Sequence, residues 1–276
     1  MERLTELVSA QDWLAAWAEY RRLEEAGPSS ARLQLLGSHA AYGLRDLATA
    51  KGLAELALAD APQDRLLGQV RFHIGMVLRE LGEVEGALAQ FDAFLTETVT
   101  VYPELAVHTG KLQFYRALCH RQVGDLLQSA ASYRLALTSL TGWERSATLQ
   151  NLAWVYCLMG CADEARAALN QVDTQGDSIL GIHQGIGEAY LDAIEGELGR
   201  AFAGCEVLSA RGDLGAQEMA EVSWVAALSA QRSGDLEKAV VLCKSALAYA
   251  LDAQDARLTA DAEGLAQDIE TLRRAG

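Results

Sequence analysis

The chain has 276 residues, half of them hydrophobic, with only three prolines and a formal net charge of −15. Alanine and leucine dominate, so the chain can bury a sizeable core and favours helix, which excludes a disordered protein and a β-rich fold. An acidic chain repels nucleic-acid phosphates, so no direct nucleic-acid binding is expected.

The first segment, MERLTELVSAQDW, is charged and helical in pattern, without the basic, apolar and small-residue succession of a secretory signal. It runs into a turn at Gln11, and a second turn follows at Arg45 within LRDLATA. Further turns fall at Gly82, Gly124, Gly160, Gly196 and Gly234, at steps from Gln11 of 34, 37, 42, 36, 36 and 38 residues. Five residues after each turn stands a small side chain: Ala16, Ala50, Ala87, Ser129, Ala165, Ala201 and Ala239. Nine after come Tyr20, Ala54, Phe91, Tyr133, Leu169, Cys205 and Cys243, and seven before come Ser38, Gly75, Ala117, Ala153, Ala189 and Ala227. Pro28 and Pro62 sit seventeen residues after the first two turns. A glycine ends one helix in the left-handed conformation. An aspartate such as Asp46, Asp125 or Asp235 then caps the next. The small columns let the two helices of each hairpin approach, and stacking buries the apolar face that one hairpin leaves open.

This pattern resembles the tetratricopeptide repeat family, in the longer-helixed bacterial style of the repeat domains of peptide-responsive regulators. LQNLAWVYCLMGCADEARAAL (149–169) is nearest to the family signature. The resemblance implies an all-α solenoid of about seven hairpins in one right-handed superhelical domain over residues 1–276. The repeats fall at about 1–28, 29–63, 64–102, 103–141, 142–175, 176–212 and 213–252. A capping helix is expected over 255–274, with Leu258, Ala262, Leu265, Ile269 and Leu272 as its apolar stripe. No apolar run spans a bilayer, since Lys244 interrupts the best one. The five scattered cysteines fit a reducing cytoplasm.

Motifs for chemistry are weak. GIHQGIGEAY (181–190) lacks the lysine and preceding strand of a phosphate loop, so helix packing accounts for its glycines. Cys157 and Cys161 share a helix face without two further ligands, and Cys205 and Cys243 replace large apolar residues of their hairpins. The five histidines have no nucleophile motif around them. No catalysis, cofactor or metal is expected. Trp13 and Trp17, four apart, are expected to pack against the second hairpin; the alternative is an end face for a partner or a second copy.

The resemblance also implies that the first helix of each hairpin lines a concave groove. Its face carries the residues thirteen, ten, six, three and two before each turn. These thirty positions hold five basic and two acidic residues, +3 on a chain of −15, and six of the eighteen aromatics. Uniform scatter places about two aromatics there. The expected groove residues are Arg32, His39, Tyr42, Phe72, Met76, Arg79, Lys111, Phe114 and Arg121, then Gln150, Asn151, Trp154, Tyr190, Trp224 and Arg232. Asn151 matches one position of the family's carboxylate clamp, but Phe114, Leu118, His183 and Gly187 replace the others, so a co-chaperone role is not expected.

The expected function is a cytoplasmic, non-catalytic module that captures a peptide or partner-protein segment with acidic and apolar side chains. The alternative is a ligand- or peptide-responsive regulator, or a fragment of one, since the first turn at Gln11 leaves no room for a preceding output domain. Homo-oligomers through the terminal faces are compatible with either.

Overall fold

The computed structural model describes residues 1–61, 65–174 and 176–275; Pro62 lies outside them. The described residues form helices and no strands. They divide into two compact units, Met1–Val123 and Gly124–Gly276.

The first unit begins with antiparallel pairs α1 (Glu2–Ser9) with α2 (Trp13–Ala26), and α3 (Ala31–Gly43) with α4 (Leu47–Asp60). Next, α5 (Arg65–Glu80) pairs with α6 (Val84–Ala93). That rod continues through a π-helical stretch, Phe94–Thr98, into the single turn α7 (Val99–Val101), a 3-10 segment, Pro103–His108, and α8 (Thr109–Gln122). This irregular stretch falls within the longest step of the repeat. Arg71 offsets part of the disturbance: its Nη1 donates to the Ala93 carbonyl at 2.8 Å, and its Nη2 pairs with Glu97 at 2.6 Å.

The second unit holds α9 (Leu126–Ala136), α10 (Gly142–Leu158), α11 (Ala162–Leu169), α12 (Ser178–Glu195), α13 (Leu198–Ser209), α14 (Ala216–Arg232), α15 (Leu236–Asp252) and α16 (Ala256–Ala275). Within it α10 packs on α11, α12 on α13 and α14 on α15, while α16 closes on α14 and α15.

All seven expected turns adopt positive φ: Gln11 at 58°, Arg45 at 64°, and the five glycines between 73° and 85°. At three of them the following aspartate amide reaches back to close the helix end, Asp12 to Leu7 O, Asp46 to Ala41 O and Asp235 to Ala230 O, each at 3.0 Å. The Asp46, Asp125 and Asp235 carboxylates accept the amides of Thr49, Gln128 and Lys238, which satisfies donors the helix leaves open. An eighth such turn, missed in the sequence, sits at Gln254 (φ 53°), where Asp255 accepts from the Leu258 amide. Its signal was the Gln-Asp pair already seen at Gln11–Asp12.

The small column five residues after each turn is fully sealed, at 0 % exposure in every hairpin from Ala16 to Ala239. Close approach explains the glycines before the turns. A Cβ on Gly75 lies 2.4 Å from the Phe91 ring, one on Gly37 lies 2.5 Å from Tyr20, and one on Gly43 lies 2.2 Å from Trp13. Trp13 thus fills the space beside the α3 backbone, and Trp17 packs on Ala41, Ala50 and Val77, so both tryptophans pack against the second hairpin. On α16, Leu258, Ala262, Leu265 and Ile269 are buried, whereas Leu272 is 46 % exposed, so the stripe stops one turn before the helix does.

Candidate binding faces

In the first unit the inner-face residues come from α3, α5 and α8. Arg32 is exposed and lines an open recess with Met1, Glu2, Thr5, Glu6, Ser9 and Ala10 of the α1 end. His39 is half-buried, and its ring lies 3.8 Å from that of His73, which is 1 % exposed. Burial pushes His39 down to about 4 and His73 well below the usual histidine range. The neighbouring Ser38 hydroxyl donates to the Ala50 carbonyl at 2.6 Å, so it accepts from His73 Nε2 at 2.8 Å. Its proton is directed away from the imidazole, and the pair is a packing lock rather than an activated nucleophile.

Tyr42 is half-buried, with its ring edge on His73; burial, then the Glu80 charge, pushes its hydroxyl up to about 12. Phe72 and Met76 on α5 are half-buried, and Phe72 meets Phe91 at 6.2 Å and Tyr115 at 5.4 Å between ring centroids. Arg79 pairs with Glu80 and lies over the Tyr115 ring at 5.8 Å. On α8, Lys111 is exposed, while Phe114 and Arg121 are half-buried; Phe114 packs edge-on against Tyr115 at 5.6 Å.

Sequence reasoning missed His73 and Tyr115, which organise this face. Both stand nine residues before their turns, one position outside the columns considered. That column was the available signal.

In the second unit the residues come from α10, α12 and α14. Gln150 is buried and donates through Nε2 to the Leu180 carbonyl at 2.6 Å. Asn151 donates to the Ala147 carbonyl of its own helix at 2.9 Å. Trp154, Tyr190 and Trp224, expected as ligand anchors, converge with ring centroids 4.7, 5.7 and 5.2 Å apart. Their exposures are 9, 2 and 8 %, so Tyr190 presents almost no surface and the two indoles only an edge. Trp224 Nε1 also donates to the Asp261 carbonyl of α16 at 3.1 Å. Arg232 is exposed and caps the end of α12, with Nη1 donating to the Ala193 and Ile194 carbonyls.

Beside the aromatics lies an ion network that no motif announced. Buried Glu221 accepts from Arg257 of α16 at 3.0 Å and stands 3.4 Å from His183 Nδ1 of α12. Arg257 also reaches Asp255 and Asp261, and His183 Nε2 lies 3.8 Å from Glu218. Burial alone would raise the Glu221 carboxyl; His183 and Arg257 outweigh it and hold the group at about 2. Burial works against the His183 cation too, but the two glutamates outweigh it and raise its affinity for the proton.

Three thiols are poor nucleophiles: burial raises Cys119 to about 11 and Cys157 and Cys205 to about 12. Among the described residues no group of three or more His, Cys, Asp or Glu side chains is placed to hold a metal ion, and no helix is long and apolar enough to cross a membrane.

No protein-family model matches the chain. No curated protein matches it in sequence. Solved structures do match in fold. A tetratricopeptide repeat protein from Parabacteroides merdae is 16 % identical, with a TM-score of 0.67 and 96 % of each chain covered. The apo form of RapI is 14 % identical at a TM-score of 0.69, covering 91 % of this chain and 96 % of that one. A Rap protein complexed with competence and sporulation factor is 17 % identical at 0.60, covering 96 % and 74 %. The hairpins with their left-handed turns and sealed small columns, together with these likenesses, give the chain a tetratricopeptide-repeat-like fold.

Proposed function

We propose that the protein is a non-catalytic, cytoplasmic binding module that captures a peptide or partner-protein segment on the α3–α5–α8 face of its first unit. One observation carries the reading. His39, Tyr42, Phe72, Met76, Arg79, Phe114 and Arg121 are all half-buried, held in place by neighbours yet open on one side. Pre-organised aromatics beside arginines favour a segment with apolar anchors and acidic groups. Arg32 and Lys111, both exposed, add attraction and act mainly on the association rate. Two features fit a non-catalytic role: the Ser38 proton is committed to a carbonyl, and burial holds the Cys119, Cys157 and Cys205 thiols neutral.

A photo-crosslinking residue at position 114, with position 241 on an outer helix as control, tests the reading. The partner segment crosslinked only from 114, once synthesised, should bind the full chain, and Phe72→Ala should weaken it by about 2 kcal/mol, near thirtyfold. Equal crosslinking from both positions, or unchanged affinity in Phe72→Ala, refutes the assignment.

A second reading, a peptide-responsive regulator, draws on the likeness to the Rap protein complexed with competence and sporulation factor. It uses the same face, and a change in the hydrogen exchange of α16 on ligand binding would favour it over simple capture.

A further inference from the structure

Glu80 is the last residue of α5, where the helix dipole disfavours a carboxylate. It nevertheless gathers three donors, one from its own helix and two from the preceding hairpin. Arg79 beside it is ion-paired, Arg45 Nη1 from the α3–α4 turn lies at 3.5 Å, and the Tyr42 hydroxyl of α3 also reaches 3.5 Å. Two guanidinium charges against one carboxylate leave this group with a net positive charge. Arg79 Nε is buried without a hydrogen-bond partner, so donor capacity remains unused. The side chains of Arg79 and Glu80 are only 19 % and 22 % exposed, which shields the group from bulk screening while leaving it reachable.

We propose that these donors form a carboxylate-binding subsite and that Glu80 is its built-in competitor, occupying in the free protein the position that a partner's carboxylate takes in the complex. The inference rests on the reading of this face as the capture site and names its polar anchor. An incoming carboxylate displaces Glu80 towards solvent and takes over Arg79, Arg45 and Tyr42, with a forked bond to the guanidinium as the strongest contact. The internal carboxylate keeps weak or wrongly spaced anions out, because a ligand must exceed what Glu80 already supplies.

The test follows the Arg79 Nε–H signal by NMR in the full chain. The probes are N-acetylated leucyl-phenylalanine with a free terminal carboxylate, the same dipeptide as its amide, and N-acetylated glutamyl-phenylalanine amide. The signal should shift with a carboxylate-bearing probe and not with the leucyl amide. The preferred source, chain terminus or acidic side chain, is the probe that binds tighter. Glu80→Gln, checked by Glu80→Ala, should bind that probe about three- to fivefold tighter, and Arg79→Gln should lose it. If both Glu80 variants bind no tighter than the parent, or no carboxylate moves the Arg79 signal in any of these proteins, the inference is overturned. A crosslinked partner that depends on Phe72 but ignores Glu80→Gln leaves the capture reading standing and removes only this one.

Discussion

Gly75→Ala tests the packing logic that organises the whole chain. Alanine at an interior helix position ordinarily stabilises by about 1 kcal/mol relative to glycine. At position 75 the new Cβ lies 2.4 Å from Phe91 Cε1 and 2.9 Å from Cδ1 and Cζ, where about 3.5 Å is needed. The Phe91 ring has little freedom to retreat by about 1 Å: it is 0 % exposed, with Phe72 and Tyr115 at 6.2 and 6.3 Å. Overpacking costs about 1–3 kcal/mol, and a contact this short against a sealed ring belongs to the upper part of that range, about 2–3 kcal/mol, which outweighs the propensity gain and leaves a net loss of about 1–2 kcal/mol. Gly52→Ala in α4 is the matched control, because nothing lies within 4 Å of its added Cβ, and it should gain about 0.5–1 kcal/mol. Urea titrations followed by far-UV circular dichroism measure both. Phe91→Leu in the Gly75→Ala background should recover part of the loss, giving a coupling of about 1 kcal/mol in a double-mutant cycle. A Gly75→Ala variant as stable as the parent, or a cycle with no coupling, refutes the close-approach account.

Trp154→Ala should destabilise the second unit by about 3–5 kcal/mol, seen as a lower urea midpoint, because its indole packs on Tyr190 and Trp224. Arg257→Met should cost about 3–5 kcal/mol by leaving the buried Glu221 carboxylate with only His183 beside it, and a salt-insensitive loss in calorimetry would agree. His39, held at about 4 when folded, binds its proton more readily unfolded, so its contribution is complete above about pH 6.5 and falls as pH drops towards 4, by up to about 3 kcal/mol. Urea midpoints across that window should decline with acid, and less steeply in His39→Leu.

The local chemistry of this fold was legible in the sequence. Positive φ at a turn, an aspartate cap and a small residue five positions on are each decided within a few residues, so all seven expected turns could be located. The apolar stripe of α16 was legible too, though its last turn was not, because whether Leu272 is covered depends on where the neighbouring helix ends. The tertiary structure alone decided which inner-face positions stay open. His39, Met76, Trp154 and Tyr190 all stand six residues before their turns, yet the first two are half-buried and the last two sealed. Column position determines which way a side chain points along its helix. Burial depends on what the next hairpin brings against it, here Trp224 over both Trp154 and Tyr190. The same holds for charge. Glu80 sits two residues and Glu221 thirteen before their turns, and nothing local pairs Glu80 with Arg45 and Tyr42 or Glu221 with Arg257 of α16. Those partners are 35 or more residues away in sequence, and only stacking brings them within reach.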